Sequence, residues 1–145
     1  MFKIEVLNQE TDLEFIALTE KELFKDDPWD YTRLLSEFKN SFSQIWVLTK
    51  EKEKLGYLVF RMILDEAELL RIGIKKEHQN KGLGTYFLKD FLNYLKQQGV
   101  KKVHLELKID NHPALKLYQK MGFQKVYVRK NYYQSSDALV MTKDL

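Results

Sequence analysis

Gln79-Asn80-Lys81-Gly82-Leu83-Gly84-Thr85 sets two glycines one residue apart, between an apolar run from Ala67 to Ile74 and a long amphipathic stretch that begins at Leu83. Glycines let the backbone approach an anion closely. The first N–H groups of the following helix, which have no intrahelical partner, then point at it. The chemistry this permits is pyrophosphate binding, and Lys75, Lys76 and Lys81 around the turn add a local positive field. Two other phosphate turns are disfavoured. A dinucleotide fingerprint needs a small residue three places after the second glycine, where Phe87 stands. A Walker loop needs Gly-Lys-Ser/Thr, whereas Lys81 precedes its glycine and no such pair follows Gly84.

The rest of the reactive inventory narrows the reaction. The chain has no cysteine, which removes disulfides, Cys-ligated zinc and an acyl-cysteine intermediate, so any acyl transfer is expected to be direct. His78, His104 and His112 have no metal-ligand spacing, and no metal is assigned. Glu106 lies in an alternating segment with Val103, Leu105, Leu107 and Ile109 on one face and His104, Glu106 and Lys108 on the other. Such a glutamate is either a solvent-facing carboxylate or a proton acceptor at a site.

The net charge of +3 is only weakly basic, and no stripe of Lys/Arg with interleaved aromatics forms, so direct nucleic-acid binding is not expected. No run of about 18 apolar residues could span a bilayer and no leader pattern is evident, so a cytoplasmic protein without membrane attachment is expected. The oligomeric state is not legible. At 145 residues the chain is long enough to bury a sizeable core, and without repeats or linkers it reads as one domain over 1–145.

The elements that must position these residues follow from periodicity. Phe2 to Leu7 reads as a strand, and Thr11 with Glu14 has the form of a capping box for a helix whose stripe is Leu13, Ile16, Ala17, Leu23 and Phe24. Pro28 ends that segment, and Asp30 caps a short helix with Leu34, Leu35 and Phe38 inward. Strands are expected at Gln44 to Thr49, Leu55 to Leu64 and Ala67 to Ile74, the first two joined by a charged loop from Lys50 to Lys54. A helix then runs from Leu83 to Gln98 and stops at Gly99, and a strand follows at Val103 to Ile109. Asn111 caps a helix with Pro113 in its first turn and Ala114, Leu117, Tyr118 and Met121 on one face, before strands at Gln124 to Arg129 and Asp137 to Lys143.

This element order, the Gln-x-x-Gly-x-Gly turn, Leu105-Glu106-Leu107 with Asn111 beyond it, and Ala114-x-x-Leu117-Tyr118-x-x-x-Gly122-Phe123 together resemble the GCN5-related N-acetyltransferase (GNAT) family over essentially the whole chain. Within it the chain is most similar to the RimI branch of ribosomal-protein alanine N-acetyltransferases, through Asp27-Pro28-Trp29, Asp65-Glu66-Ala67, Arg129 to Tyr133, and Asp137-Ala138 with Met141. The resemblance implies an α/β (α+β) GNAT fold, a mixed and mostly antiparallel central sheet of about seven strands flanked by about four helices.

It also implies acetyl-CoA as co-substrate and a protein N-terminus, that of a ribosomal protein, as acceptor. Lysine side chains or a small amine are the alternative acceptors, and a non-catalytic CoA-binding module is the third reading. The acetyl-pantetheine arm would lie along Ile72-Gly73-Ile74, and the pyrophosphate would rest on Gln79, Asn80, Lys81, Gly82, Leu83, Gly84 and Thr85. Gly73 then marks either a bulge with close ligand approach or simple packing. Asn111 would contact the pantetheine side or serve as a plain helix cap. Glu106 matches the family's general base. Tyr118 matches its general acid and would also touch the coenzyme, unless it is an ordinary core tyrosine. The acceptor site would draw on Trp29, Tyr31, Glu68, Tyr132, Tyr133 and Asp137, each of which could instead be structural. Arg71, a bulky cation in the coenzyme strand, bears on which acceptor is used.

Overall fold

The computed structural model describes residues 1–133 and 136–145, without the side chains of Asn131 and Tyr133. Among these residues seven strands form one sheet: β1 (Phe2–Val6), β2 (Ser43–Lys50), β3 (Glu53–Ile63), β4 (Glu66–Ile74), β5 (Lys102–Lys108), β6 (Gln124–Tyr133) and β7 (Ser136–Asp144). Four α-helices flank it: α1 (Leu13–Leu23), α2 (Tyr31–Lys39), α3 (Leu83–Gln97) and α4 (His112–Lys120). The strand order is β1-β2-β3-β4-β5-β7-β6, antiparallel throughout except for β4 with β5.

Alternation along the central strands divides the apolar side chains between two cores. Trp46, Leu48, Leu58 and Phe60 face α3 and α4, and Ile45, Val47, Tyr57 and Val59 face α1 and α2. Both faces of β3 are therefore buried, which is why Leu55 to Phe60 is a continuous apolar-rich run broken only by Gly56. α3 adds Leu83, Phe87, Leu88, Phe91, Leu92 and Leu95 to the first core, each burial contributing about 1.5–3 kcal/mol.

Local rules were overridden in three places. The capping box at Thr11 does not form: a 3-10 turn occupies Glu10–Asp12, and Asp12 precedes α1 without a side-chain cap. The charged run after β2 is shorter as a loop than its composition suggests. Glu51 and Lys52 take positive φ angles of 51° and 71° and make a two-residue turn, so Lys50 pairs with Glu53. β6 continues past Arg129 to Tyr133 because β7 lies alongside it as far as Ser136. The stripe of α1 also carries one residue that the apolar pattern leaves out, Glu20, which is completely buried.

Gly73 is explained by packing. A Cβ built there would lie 2.5 Å from both the Cζ and the hydroxyl oxygen of Tyr57, whose ring is fully buried and whose hydroxyl donates to Glu20. The phenol crosses directly over the glycine and is tied at its far end. Gly73→Ala is expected to lower stability by about 1–3 kcal/mol, as overpacking in a fixed core does. Urea unfolding checks this, and an unchanged midpoint would mean that Tyr57 yields freely.

Candidate active site

β4 and β5 run parallel but pair only over Glu66–Leu69 and Lys102–Leu105. Beyond that, β4 stays with β3 to Ile74 and β5 stays with β7 to Lys108, so the two strands part and a gap opens in the sheet. A bulge sits where they separate. Phe60 pairs with Leu69 and Val59 with Arg71, leaving Leu70 as the extra residue. Such an insertion bends its strand and re-aims the side chains beside it. From Leu70 onward no described strand lies along the edge of β4 that faces the gap.

A cavity of about 430 Å³ occupies the gap, lined by Arg71, Ile72, Glu106, Lys108, Asn111 and Tyr118 together with the α1–α2 connection at Leu23 to Asp27. A second, of about 440 Å³, shares Leu23, Phe24, Ile72, Asn111, Ala114 and Leu117 with it and runs on past Gly73 and Ile74 to Gln79, Asn80, Gly82, Gly84 and Thr85. The two form a path from the sheet gap to the glycine turn.

The turn has a geometry that could cradle an anion. Asn80 and Gly82 both have positive φ, 63° and 81°, which rotates successive N–H groups toward one side. Gly82 precedes α3 and no side chain caps the helix, so its first N–H groups remain available to a ligand. A helix N-terminus favours an anion by about 0.3–1 kcal/mol. Gln79 serves the turn from below, its side-chain N–H donating to the Ile74 carbonyl at 2.9 Å and tying the turn to the end of β4. Lys81 is exposed beside it. A Cβ on Gly84 would meet only Leu117 at 3.6 Å, so the protein's own packing does not demand glycine there. A gap of this shape leading to uncapped N–H groups fits a phosphate-bearing thioester.

Glu106 stands on β5 just past the last residue paired with β4, about one-fifth exposed, with Arg129 Nε 3.1 Å from its Oε1. The Tyr127 hydroxyl and then the Glu106 carboxylate hold the Arg129 guanidinium charged more firmly than usual. Glu106 also lines a groove of about 550 Å³ on the outer part of the sheet, together with Glu66, Glu68, His104, Tyr127 and Arg129. Glu106 therefore borders both the gap and an open groove. Tyr118 is nearly buried, its ring 5.7 Å from that of Phe123, and it faces the gap. Asn111 accepts from the Ala114 N–H at 3.3 Å, so it caps α4 while lining both cavities of the path.

The residues expected at the acceptor site are spread more widely. Trp29 is in the core under α1 and α2, 7% exposed, with Arg33 over its ring at 4.2 Å. Tyr31 is exposed at the start of α2, its hydroxyl 3.5 Å from the Glu10 carbonyl. Glu68 lines the outer groove. Tyr132 is exposed on β6 with Arg129 5.7 Å from its ring, and Asp137 lies near the start of β7, accepting the Ile109 N–H on its carbonyl at 3.0 Å. The Tyr133 side chain lies outside the described residues.

Sequence reasoning missed a polar cluster at the same gap. Buried Glu20 accepts from the Trp29 N–H at 2.9 Å, from the Tyr57 hydroxyl, and from Arg71 Nε at 3.0 Å. Burial first, then the charge of Glu20 and its hydrogen bond, push the Tyr57 hydroxyl far above its ordinary range, so it remains a donor. The one available signal was a charge on the stripe that carries Leu13 and Ile16.

Residues 7–123 match the acetyltransferase (GNAT) family. The chain is 33% identical over 109 residues to the ribosomal protein bS18-alanine N-acetyltransferase of Haemophilus influenzae, covering 73% of this chain and 71% of that one. It is 32% identical over 90 residues to the Escherichia coli protein of the same name, 62% of this chain and 61% of that one. The crystal structure of the Escherichia coli ribosomal-protein-S18-alanine N-acetyltransferase superposes with a TM-score of 0.90, covering 99% of this chain and 94% of that chain at 28% identity. Its split sheet, its glycine turn and these relatives agree: the chain belongs to the GNAT family of acetyltransferases.

Proposed function

We propose that this protein transfers acetyl from acetyl-CoA directly to a protein N-terminal amine, that of the N-terminal alanine of ribosomal protein bS18. The observation that carries the reading is the position of Glu106, which borders both the path to the glycine turn and the open outer groove. Donor and acceptor can then reach it from different sides. The names of the relatives supply the acceptor.

Bound acetyl-CoA would supply an acyl thioester. Asn80 to Thr85 would hold its pyrophosphate, and the free edge of β4 from Leu70 to Ile74 would carry its arm. An α-amine, with an ordinary pKa near ~8, arrives mostly protonated at neutral pH and cannot attack. In this reading Glu106 takes the proton, directly or through one water, and the neutral nitrogen forms the new C–N bond. Backbone N–H groups on the free edge of β4 meet the charge growing on the acetyl oxygen. As the C–S bond breaks, the Tyr118 hydroxyl gives its proton to the departing sulfur, and the second proton that the nitrogen sheds in becoming an amide restores the phenol through water.

The test is incubation with acetyl-CoA and a panel of peptides, among them the bS18 N-terminus, the same peptide with its α-amine blocked, and a lysine peptide. Mass spectrometry then locates the acetyl group. Acetyl on the α-amine of the alanine peptide is expected. Modification confined to lysine would overturn the acceptor assignment, and absence of thiol release with every acceptor would overturn the reaction.

A further inference from the structure

Glu106 stands where the sheet gives its side chain little support. β4 pairs with β5 no further than Leu69 and Leu105, and on the other side the partner of Glu106 in register is Val140 of β7. A valine offers nothing to a carboxylate. Two other cations that line the outer groove are engaged elsewhere, Arg61 by Glu37 and Lys102 by Asp144. Among the described residues, Arg129 is the cation that meets Glu106, with Nε 3.1 Å from Oε1.

That reach is built into β6. Tyr127 pairs with Val140 as Glu106 does, so the three residues form a row across β6, β7 and β5, and Arg129 follows Tyr127 by two positions. All four line the groove. The register of β6 against β7 slips on both sides of Tyr127 and Arg129, between Lys125 and Tyr127 and again between Arg129 and Tyr133. Irregularities of this kind re-aim the side chains beside them. From β6 the guanidinium passes β7 to reach β5, and on the way its Nη2 donates to the Tyr127 hydroxyl at 3.1 Å. Its Cζ lies 5.7 Å from the rings of both Tyr127 and Tyr132. A planar fork can hold Tyr127 and Glu106 together, which a compact ammonium cannot do at once.

We propose that Arg129 is a positioning residue for the acetyl transfer: braced by Tyr127, it holds the Glu106 carboxylate from the groove side, in the place where the acceptor amine gives up its proton. Arg129 lines the outer groove and neither cavity of the path to the glycine turn, so the brace bears on proton removal rather than on the coenzyme. A glutamate left unbraced would spread over several rotamers, and small misplacements of a reacting group are costly in rate. The brace rests on the amine-acetylation reading above.

The test is a double-mutant cycle in kcat between Arg129→Met and Glu106→Gln. Arg129→Met is expected to lower kcat about tenfold, with KM for acetyl-CoA within about twofold of the wild type. In the Glu106→Gln background the same change should cost less than about twofold, since no base remains to be placed. Arg129→Lys keeps the charge but reaches one partner at a time, and its kcat should fall between those of the wild type and Arg129→Met. Tyr127→Phe, which removes the tether alone, should lose about threefold. A wild-type kcat in Arg129→Met overturns the brace. So does an equal loss in both backgrounds, which would mean that Arg129 acts on the groove or the fold and not through Glu106. Should Arg129→Met fold poorly, Arg129→Lys and Tyr127→Phe decide by the same cycle. A wild-type protein that releases no thiol with any peptide, or a Glu106→Gln variant at the wild-type rate, would instead reject the underlying reading, and the brace with it.

Discussion

The Glu106→Gln variant is expected to lose about 10²–10³-fold in kcat with a peptide acceptor while binding acetyl-CoA as tightly as the wild type, because a positioned base contributes factors of this size. Glutamine keeps the shape of the side chain and an oxygen that can still accept from Arg129 Nε, now 3.1 Å from Oε1. It removes the capacity to take a proton together with the negative charge that faces Arg129. The expected pH profile sharpens the test. Without the base, the rate follows the fraction of acceptor that is already neutral, so it climbs with pH until about pH 8 for an α-amine and until about pH 10.4 for a lysine amine. One variant thus reports on the base and on the type of nitrogen attacked. Stopped-flow or continuous thiol-release assays between pH 6 and 10, with calorimetric titration of acetyl-CoA, make the measurement. A rate within a few-fold of wild type would remove Glu106 as the base.

Residues that depend on local pattern were the legible ones. The glycine turn, α3 and the Asn111 cap each follow from spacing within a few positions, and the apolar face at 83, 87, 88, 91, 92 and 95 is buried as its period requires. The gap between β4 and β5 was not readable in that way. It depends on where pairing stops, at Leu69 and Leu105, and the strands on both sides of it carry ordinary β-forming residues. Arg71 shows the same limit more clearly. Its meaning comes from Glu20, 51 positions away, and from the Asp27 carbonyl, 44 away, and no periodicity links them. Trp29 was open to two readings, an acceptor contact or a structural aromatic beside a proline turn, and its indole packs in the core with Leu13, Ile16 and Leu34. Thr11 carries a capping signature that goes unused, because a 3-10 turn takes Glu10–Asp12 and Asp12 precedes α1 without a side-chain cap.

The Tyr118→Phe variant should separate the two halves of the reaction. Phenylalanine preserves the ring that packs against Phe123 at 5.7 Å, so the fold should lose no more than about 1 kcal/mol, the scale of one hydroxyl hydrogen bond. kcat is expected to fall by about 10²-fold, because the sulfur must then leave as a bare thiolate in a cavity that shields it from water. That cost belongs to the leaving group rather than to the amine. An acetyl thioester of a more acidic thiol should therefore restore much of the rate to Tyr118→Phe and very little to Glu106→Gln, whose defect lies in deprotonating the acceptor. If both variants respond equally to the better leaving group, Tyr118 is not the proton donor, and its place in the gap reflects the packing of α4 against the sheet.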